Sequence, residues 1–266
     1  MTKLLKYMTW EEAKKEFEST KVAIIPVGST EQHGPHMPLG TDFIIADYIA
    51  NEVASKTNVI VTPVVPVGFA AYHQDFNGSL SIDIDILAKY YEGIAESLIT
   101  YGITHILFMN GHGGNTAALN MVCRKLRDRG ITAAHMEWWM VTGNQKKEWA
   151  MLGHGDIIET SMMLYLTKEH VHLDRANIPV NKNLTDRIKI LDGSACEYKG
   201  GVVNFYLRMG EVTDTGDMLE IGHSKEADYT ISPRDSTPEL GKELLDFVID
   251  YTVDFLEEFK KVNFNK

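Results

Sequence analysis

Three short stretches of this chain concentrate the side chains able to bind a metal ion or move a proton. Gly28-Ser-Thr-Glu-Gln-His-Gly-Pro-His-Met-Pro-Leu-Gly-Thr-Asp42 carries Glu31, His33, His36 and Asp42 on a segment stiffened by two prolines. Asn110-Gly-His-Gly-Gly-Asn115 sets His112 between glycines, and Gly153-His-Gly-Asp-Ile-Ile-Glu-Thr-Ser161 contributes His154 and Glu159. In extended backbone, Glu-x-His turns both side chains the same way. Asp42 heads the helical face of Ile45, Ala46 and Ile49, which directs it toward a sheet rather than water. Glu159 heads a face continued by Met162, Met163 and Leu166, and a carboxylate is costly to bury there unless a cation or donor answers it. Glu31, His33, Asp42, His112 and Glu159 together offer three carboxylates, two imidazoles and no thiolate. That donor set suits zinc, manganese or iron(II). Five ligands exceed the needs of one catalytic metal and fit two cations about 3.5–4 Å apart if one carboxylate bridges. His154 reads as a ligand, a proton carrier or a substrate hydrogen-bonder. His73, in Tyr-His-Gln-Asp-Phe-Asn-Gly, is expected to face the same cleft and touch substrate.

Each residue also has a plainer reading. Asp42 can serve as a helix-dipole partner and Glu31 as a loop carboxylate bound by backbone amides. Glu159 can pair with Arg124 or Arg234, and His154 can cap a helix or fill a core. The Asn110–Asn115 turn can cradle a phosphate on its amides, making the protein a nucleotide- or phosphate-binding module without catalysis. It lacks the Lys-Ser/Thr of a P-loop, and no basic residue stands beside either glycine-rich loop. His105, His135, His170, His172 and His223 suggest no functional role.

The elements that must position these residues read as alternating strands and helices. Val22–Val27, Val59–Val65, His105–Met109 and 131–136 are continuous apolar runs, as expected of strands covered on both faces. Ile45, Ile49 and Val53 mark one helix. Ile84, Leu87, Tyr91, Ile94 and Leu98 mark a second, and Leu119, Val122, Cys123 and Leu126 a third. A fourth helix spans roughly 155–166. The order implies βαβ units and a mainly parallel sheet, with the loop motifs at the carboxyl ends of strands, where such sheets bind ligands. Residues 174–235 show no strong period and read as an elaborated loop or small strands. The chain closes on a helix with Thr237 as N-cap, Pro238 at its first position, and a stripe of Leu240, Leu244, Phe247, Tyr251, Phe255 and Phe259. With no repeat or linker, residues 1–266 are expected to form one α/β domain.

Composition narrows the partners. Of 266 residues, 44% are hydrophobic and 24% charged, an ordinary globular balance that excludes disorder and fibrous structure. The net charge of −11 disfavours nucleic acid and anionic membranes. Cys123 and Cys196 build no disulfide framework, which fits a reducing cytosol. Met1 to Trp10 holds no apolar signal core, and nowhere do 18 apolar residues run together. A soluble, cytoplasmic protein acting on a small molecule is expected.

The three motifs, in this order, resemble the creatininase (creatinine amidohydrolase) family over about residues 8–260. The resemblance implies a single three-layer α/β domain, with a central, mostly parallel sheet flanked by helices. It also implies a two-metal hydrolase, commonly zinc or manganese, often assembled as a homohexamer. It puts Glu31, His33, Asp42 and His112 on metal-ligand positions, Asp42 as the bridge, and His154 on the histidine that assists proton transfer. Two positions depart from creatininase proper. Gly114 stands where it has a ligand glutamate, and Gly153 where it has a glutamate before the active-site histidine. The form seen here is more like members acting on other substrates, such as formamidopyrimidine deformylases and mycofactocin-precursor peptidases. The expected activity is therefore hydrolysis of a small or cyclic amide other than creatinine, with Glu159 as the missing ligand. The alternative within the family is ring-opening of a cyclic diketone derived from an inositol.

Overall fold

The computed structural model describes residues 3–143, 145–221 and 227–264. Its elements, in chain order, are α1 (Trp10–Ser19), β1 (Val22–Val27), α2 (Thr41–Lys56), β2 (Ile60–Val61), α3 (Ile84–Thr100), β3 (His105–Asn110), α4 (Thr116–Asp128), β4 (Thr132–Glu137) and α5 (Trp138–Thr142). There follow β5 (Gly153–His154), α6 (Ile157–Thr167), β6 (Lys189–Ile190), β7 (Ala195–Tyr198), β8 (Gly201–Asn204), α7 (Met209–Val212), β9 (Met218–Leu219) and α8 (Pro238–Phe259). The central sheet is parallel, in the order β2-β1-β3-β4.

Continuous apolar strands serve two cores because successive side chains leave opposite faces. Ile24 and Leu107 pack with α2, α6 and α8, whereas Ala23, Ile25, Ile106 and Phe108 pack with α3 and α4. This is the expected three-layer α/β arrangement. The seven-residue run at 59–65 delivers less strand than its composition suggests. Pairing of β2 with β1 stops at Val61 and returns as a single bridge, Val27 with Val65. Two prolines flank the gap: Pro63 interrupts the run itself, and Pro26 opposite, whose carbonyl accepts from Val65, has no N–H to give back. Its other side is undisturbed, and β1 pairs with β3 from Val22 to Val27.

Helix ends follow local chemistry. The Thr237 hydroxyl accepts from the Leu240 amide with Pro238 at the first helical position, and Asp156 caps α6 through the amides of Ile158 and Glu159. The buried face of α8 differs from the expected stripe. Gly241, Leu244, Leu245, Val248 and Thr252 face the core, and Tyr251 is 43% exposed. Gly241 sets this rotation. A Cβ there would lie 1.9 Å from the Ser161 carbonyl oxygen, so only glycine lets α8 approach α6 this closely.

Residues 174–235 contain the short strands expected of them. β6, β7 and β8 form an antiparallel sheet over a small core of Ile190, Cys196, Leu207, Met209, Val212 and Met218. No helix among the described residues is long and apolar enough to cross a membrane. His223 lies outside the described residues.

Candidate metal centre

Four chain segments deliver buried ligating groups to one end of the sheet. Glu31 and His33 leave β1 on the loop before α2, Asp42 lies in the first turn of α2, His112 follows β3, and Glu159 lies in the first turn of α6. All five are at most 4% exposed. Gly111 makes the convergence feasible. A Cβ there would stand 2.2 Å from the Asp42 carbonyl oxygen, so glycine lets the end of β3 close on α2.

Asp42 sits between two imidazoles. Its Oδ1 is 2.9 Å from His33 Nε2, and its Oδ2 is 3.3 Å from His112 Nδ1. Glu31 Oε2 lies 3.2 Å from His112 Nε2, and Glu159 Oε1 lies 3.9 Å from His33 Nε2. The ligand atoms of Glu31, Asp42 and His112 fall within 4.8 Å of one another. So do those of His33, His154 and Glu159. Glu31 Oε2 and Asp42 Oδ2 are buried without a hydrogen-bond partner. A carboxylate oxygen kept from both water and a donor is expensive. Two such atoms, converging with an imidazole nitrogen, fit a divalent cation.

Surrounding groups fix the orientation of both imidazoles. The Glu31 carbonyl accepts from His33 Nδ1 at 3.1 Å, leaving Nε2 to face Asp42. The Phe69 carbonyl accepts from His112 Nε2 at 2.8 Å, which turns Nδ1 toward Asp42. Gly114 keeps that contact open, since a Cβ there would lie 2.1 Å from the Phe69 oxygen and 2.4 Å from His112 Nε2. This backbone has no room for a side chain at position 114, and the carboxylate beside His33 comes from Glu159.

His73 and His154 stand behind and beside the cluster. His73 is 1% exposed, with Nε2 donating to Glu31 Oε1 at 3.1 Å and Nδ1 accepting from Gln32 Nε2 at 2.7 Å. It borders the cleft expected to take substrate, and both its nitrogens are engaged, Nε2 by Glu31 and Nδ1 by Gln32. His154 donates from Nε2 to the Gln32 carbonyl at 2.5 Å and holds Nδ1 4.0 Å from Glu31 Oε1. Gln32 links the two histidines and ties them to the Gly216 carbonyl at 2.8 Å. In the sequence its one signal is its place between Glu31 and His33. The plainer alternatives meet other facts. Asp156 caps α6, so His154 does not. Arg234 spends its guanidinium on the carbonyls of Ala176 and Asp174 rather than on Glu159. Asn110 and Asn115 brace the glycine-rich turn by bonding the His112 amide and the Gly28 carbonyl.

Electrostatics match a site built for cations. Burial alone would push the His33 pKa down, but Asp42 and Glu159 outweigh it and lift the imidazole to about 10. Burial raises Glu159 to about 8, with Asp156 and Asp42 adding to the shift against His33. Burial would raise Glu31 too, yet His112 and His73 hold it well below the usual carboxylate range. Burial, then His33 and His73, hold His154 well below the usual imidazole value, so it is neutral near pH 7.

The cluster opens on a cavity of about 300 Å³ bordered by Tyr72, Trp139, Met151 and Met218. Trp138 and Trp149 belong to the core instead. A larger cavity of about 930 Å³ lies between α1 and α3. Its lining of Phe17, Val65, Leu98 and similar residues brings no ligating cluster together, so the chemistry belongs to the smaller one.

Residues 6–256 match the family described as creatininase, creatinine amidohydrolase. The chain is 35% identical over 161 residues to the mycofactocin precursor peptide peptidase of Mycobacterium ulcerans, a match covering 57% of this chain and 61% of that one. It is 28% identical over 190 residues to the creatinine amidohydrolase of Pseudomonas putida, covering 63% and 73%. A solved structure named Creatininase Mn superposes with a TM-score of 0.76 at 21% identity, over 97% of this chain and 99% of that one, which shows a common fold. The chain belongs to the creatininase family.

Proposed function

We propose that this creatininase-family protein is a metal-dependent hydrolase of a carbon–nitrogen bond in a small or cyclic amide other than creatinine. Glu31, Asp42 and His112 would hold one divalent cation; His33, Asp42 and Glu159 would hold a second, with Asp42 shared. Zinc or manganese suits this oxygen and imidazole set, and iron(II) is the further candidate. Bound there, such cations supply a Lewis acid for a carbonyl and acidify water toward neutrality.

The remaining steps fall to side chains. His73 and Gln32 hold Glu31 in place. His154 keeps Nε2 on the Gln32 carbonyl and turns Nδ1 toward Glu31, which places it to carry a proton between water and the leaving nitrogen. Tyr72 keeps its hydroxyl proton, because burial and then Glu31 and Asp42 push its pKa well above the usual value, and it borders the cleft as a donor. The amide reading draws support from the two relatives, a peptidase and an amidohydrolase by name. The absence of a ligand side chain at Gly114 separates this site from the creatininase pattern. A cytoplasmic homo-oligomer, a hexamer by family likeness, completes the proposal.

One observation carries this reading: the donorless, buried oxygens Glu31 Oε2 and Asp42 Oδ2 converging on His112. Elemental analysis of the purified protein tests it. About two divalent cations per chain and amide hydrolysis abolished by a chelator are expected; well under one cation per chain, with chelator-insensitive activity, ends it.

A further inference from the structure

Glu137 is a carboxylate of the cleft that the proposed metal ligands leave unused. It ends β4 in register with Asn110, at the carboxyl edge of the sheet, and borders the same cavity as Asp42 and His112, beside Trp139. The hydroxyl of Thr116, from the first turn of α4, donates to Glu137 Oε1 and fixes the carboxylate. His135 Nδ1 stands 3.6 Å from the same oxygen, while its Nε2 faces the Asn120 side-chain oxygen at 3.2 Å. Nε2 has Asn120 as its partner, and at 3.6 Å Nδ1 makes no hydrogen bond to Glu137. The carboxylate thus keeps acceptor capacity toward the cleft.

The neighbouring space has a matching character. A second compartment of about 320 Å³ shares Tyr72, Gly113, Met218 and Glu220 with the metal cleft and extends toward Phe205 and Tyr206. Among the described residues, no lysine or arginine borders either compartment. A substrate bearing a carboxylate or phosphate beyond its reacting carbonyl would face Glu137 with no guanidinium or ammonium of the described residues to receive it. A cationic nitrogen group would find a fixed carboxylate and an indole side by side.

We propose that Glu137 is a specificity-determining residue, accepting hydrogen bonds from an amidinium, guanidinium or ammonium group of the substrate while Trp139 covers that group. The inference rests on reading the cleft as the substrate site of a metal-dependent hydrolase. It adds the substrate class: amides that carry a positive charge near the reacting bond.

The test uses two isosteric probes, benzamidine and benzamide, which differ in charge and not in shape. Calorimetric titration of the metal-loaded protein should show benzamidine binding at least about tenfold more tightly, roughly the worth of one charge-assisted hydrogen bond. In Glu137→Gln, which keeps the side chain's size, that preference should shrink to about threefold or less, with benzamide affinity unchanged. Should Glu137→Gln fail to fold, Thr116→Val carries the test: benzamidine affinity must fall severalfold while that of benzamide stays. Equal affinities in the parent protein, undetectable benzamidine binding, or a variant that keeps the full preference overturns the proposal. Metal content is measured on the same samples. Full occupancy without charge preference removes only the role of Glu137, whereas a protein that takes up no metal removes the hydrolase reading itself.

Discussion

The parallel sheet and the small lobe formed by β6, β7 and β8 border the same cleft but are built differently. In the sheet, Ala23, Ile24, Ile25, Leu107 and Phe108 are fully buried and packed from both sides. In the lobe, six residues form the core, and every residue of β8 is exposed, Val202 at 65% and Val203 at 48%. The proposed ligands all come from the first kind of structure: loop ends of β1 and β3, and first turns of α2 and α6. The lobe adds a wall, through Met218, Phe205 and Tyr206. Cation binding needs donor atoms held within a few tenths of an ångström, which only a doubly covered sheet enforces here. Selectivity tolerates a thinner support.

Substitutions that separate the two regions can break this contrast. Asp42→Ala should have the largest effect, because it strips both proposed cations of their shared carboxylate. Metal content should fall below about one per chain and hydrolysis by about a thousandfold or more, with circular dichroism unchanged. A variant with metal content and rate near those of the parent refutes the shared site. Phe108→Ala, in the sheet, should cost about 3–5 kcal/mol in denaturant unfolding, as deletion of a fully buried ring does. Val203→Ala, in the lobe, should stay within about 0.5 kcal/mol. Comparable losses at the two positions would mean that the lobe is as firmly packed as the sheet.

A gentler probe is pH. His33, raised to about 10, and Glu159, raised to about 8, both hold protons at pH 7 in the metal-free site. A cation must displace these protons, so acid favours the empty site and affinity rises with pH, by up to about tenfold per unit for each proton released. Chelator competition at pH 6, 7 and 8 measures this slope. A flat profile would show that these two groups do not ligate, and Val203→Ala should leave the slope unaltered.

Much of the scaffold is readable from periodicity and caps. Thr237-Pro238 marks the start of α8, and the spacing of Ile84, Leu87 and Tyr91 marks α3, because caps and amphipathic faces depend on near neighbours. The errors occur where a distant partner decides. The rotation of α8 depends on Gly241 meeting the Ser161 carbonyl, and the shortening of β2 partly on Pro26 in the adjacent strand. At the site, the ligating residue types and their loop positions are visible in three motifs. The work of Gln32 is not, because its side chain joins His73 and the Gly216 carbonyl, far apart in the chain.

The order of amino acids already dictates alternating strands and helices, polar glycine-bounded loops at strand ends, and an oxygen and imidazole donor set suited to divalent cations. These follow from local sterics and side-chain chemistry. Only the folded chain settles which carboxylate stands beside His33, which histidine orients Glu31, and that Glu137 borders the same cleft, since each depends on distances between segments that are remote in sequence.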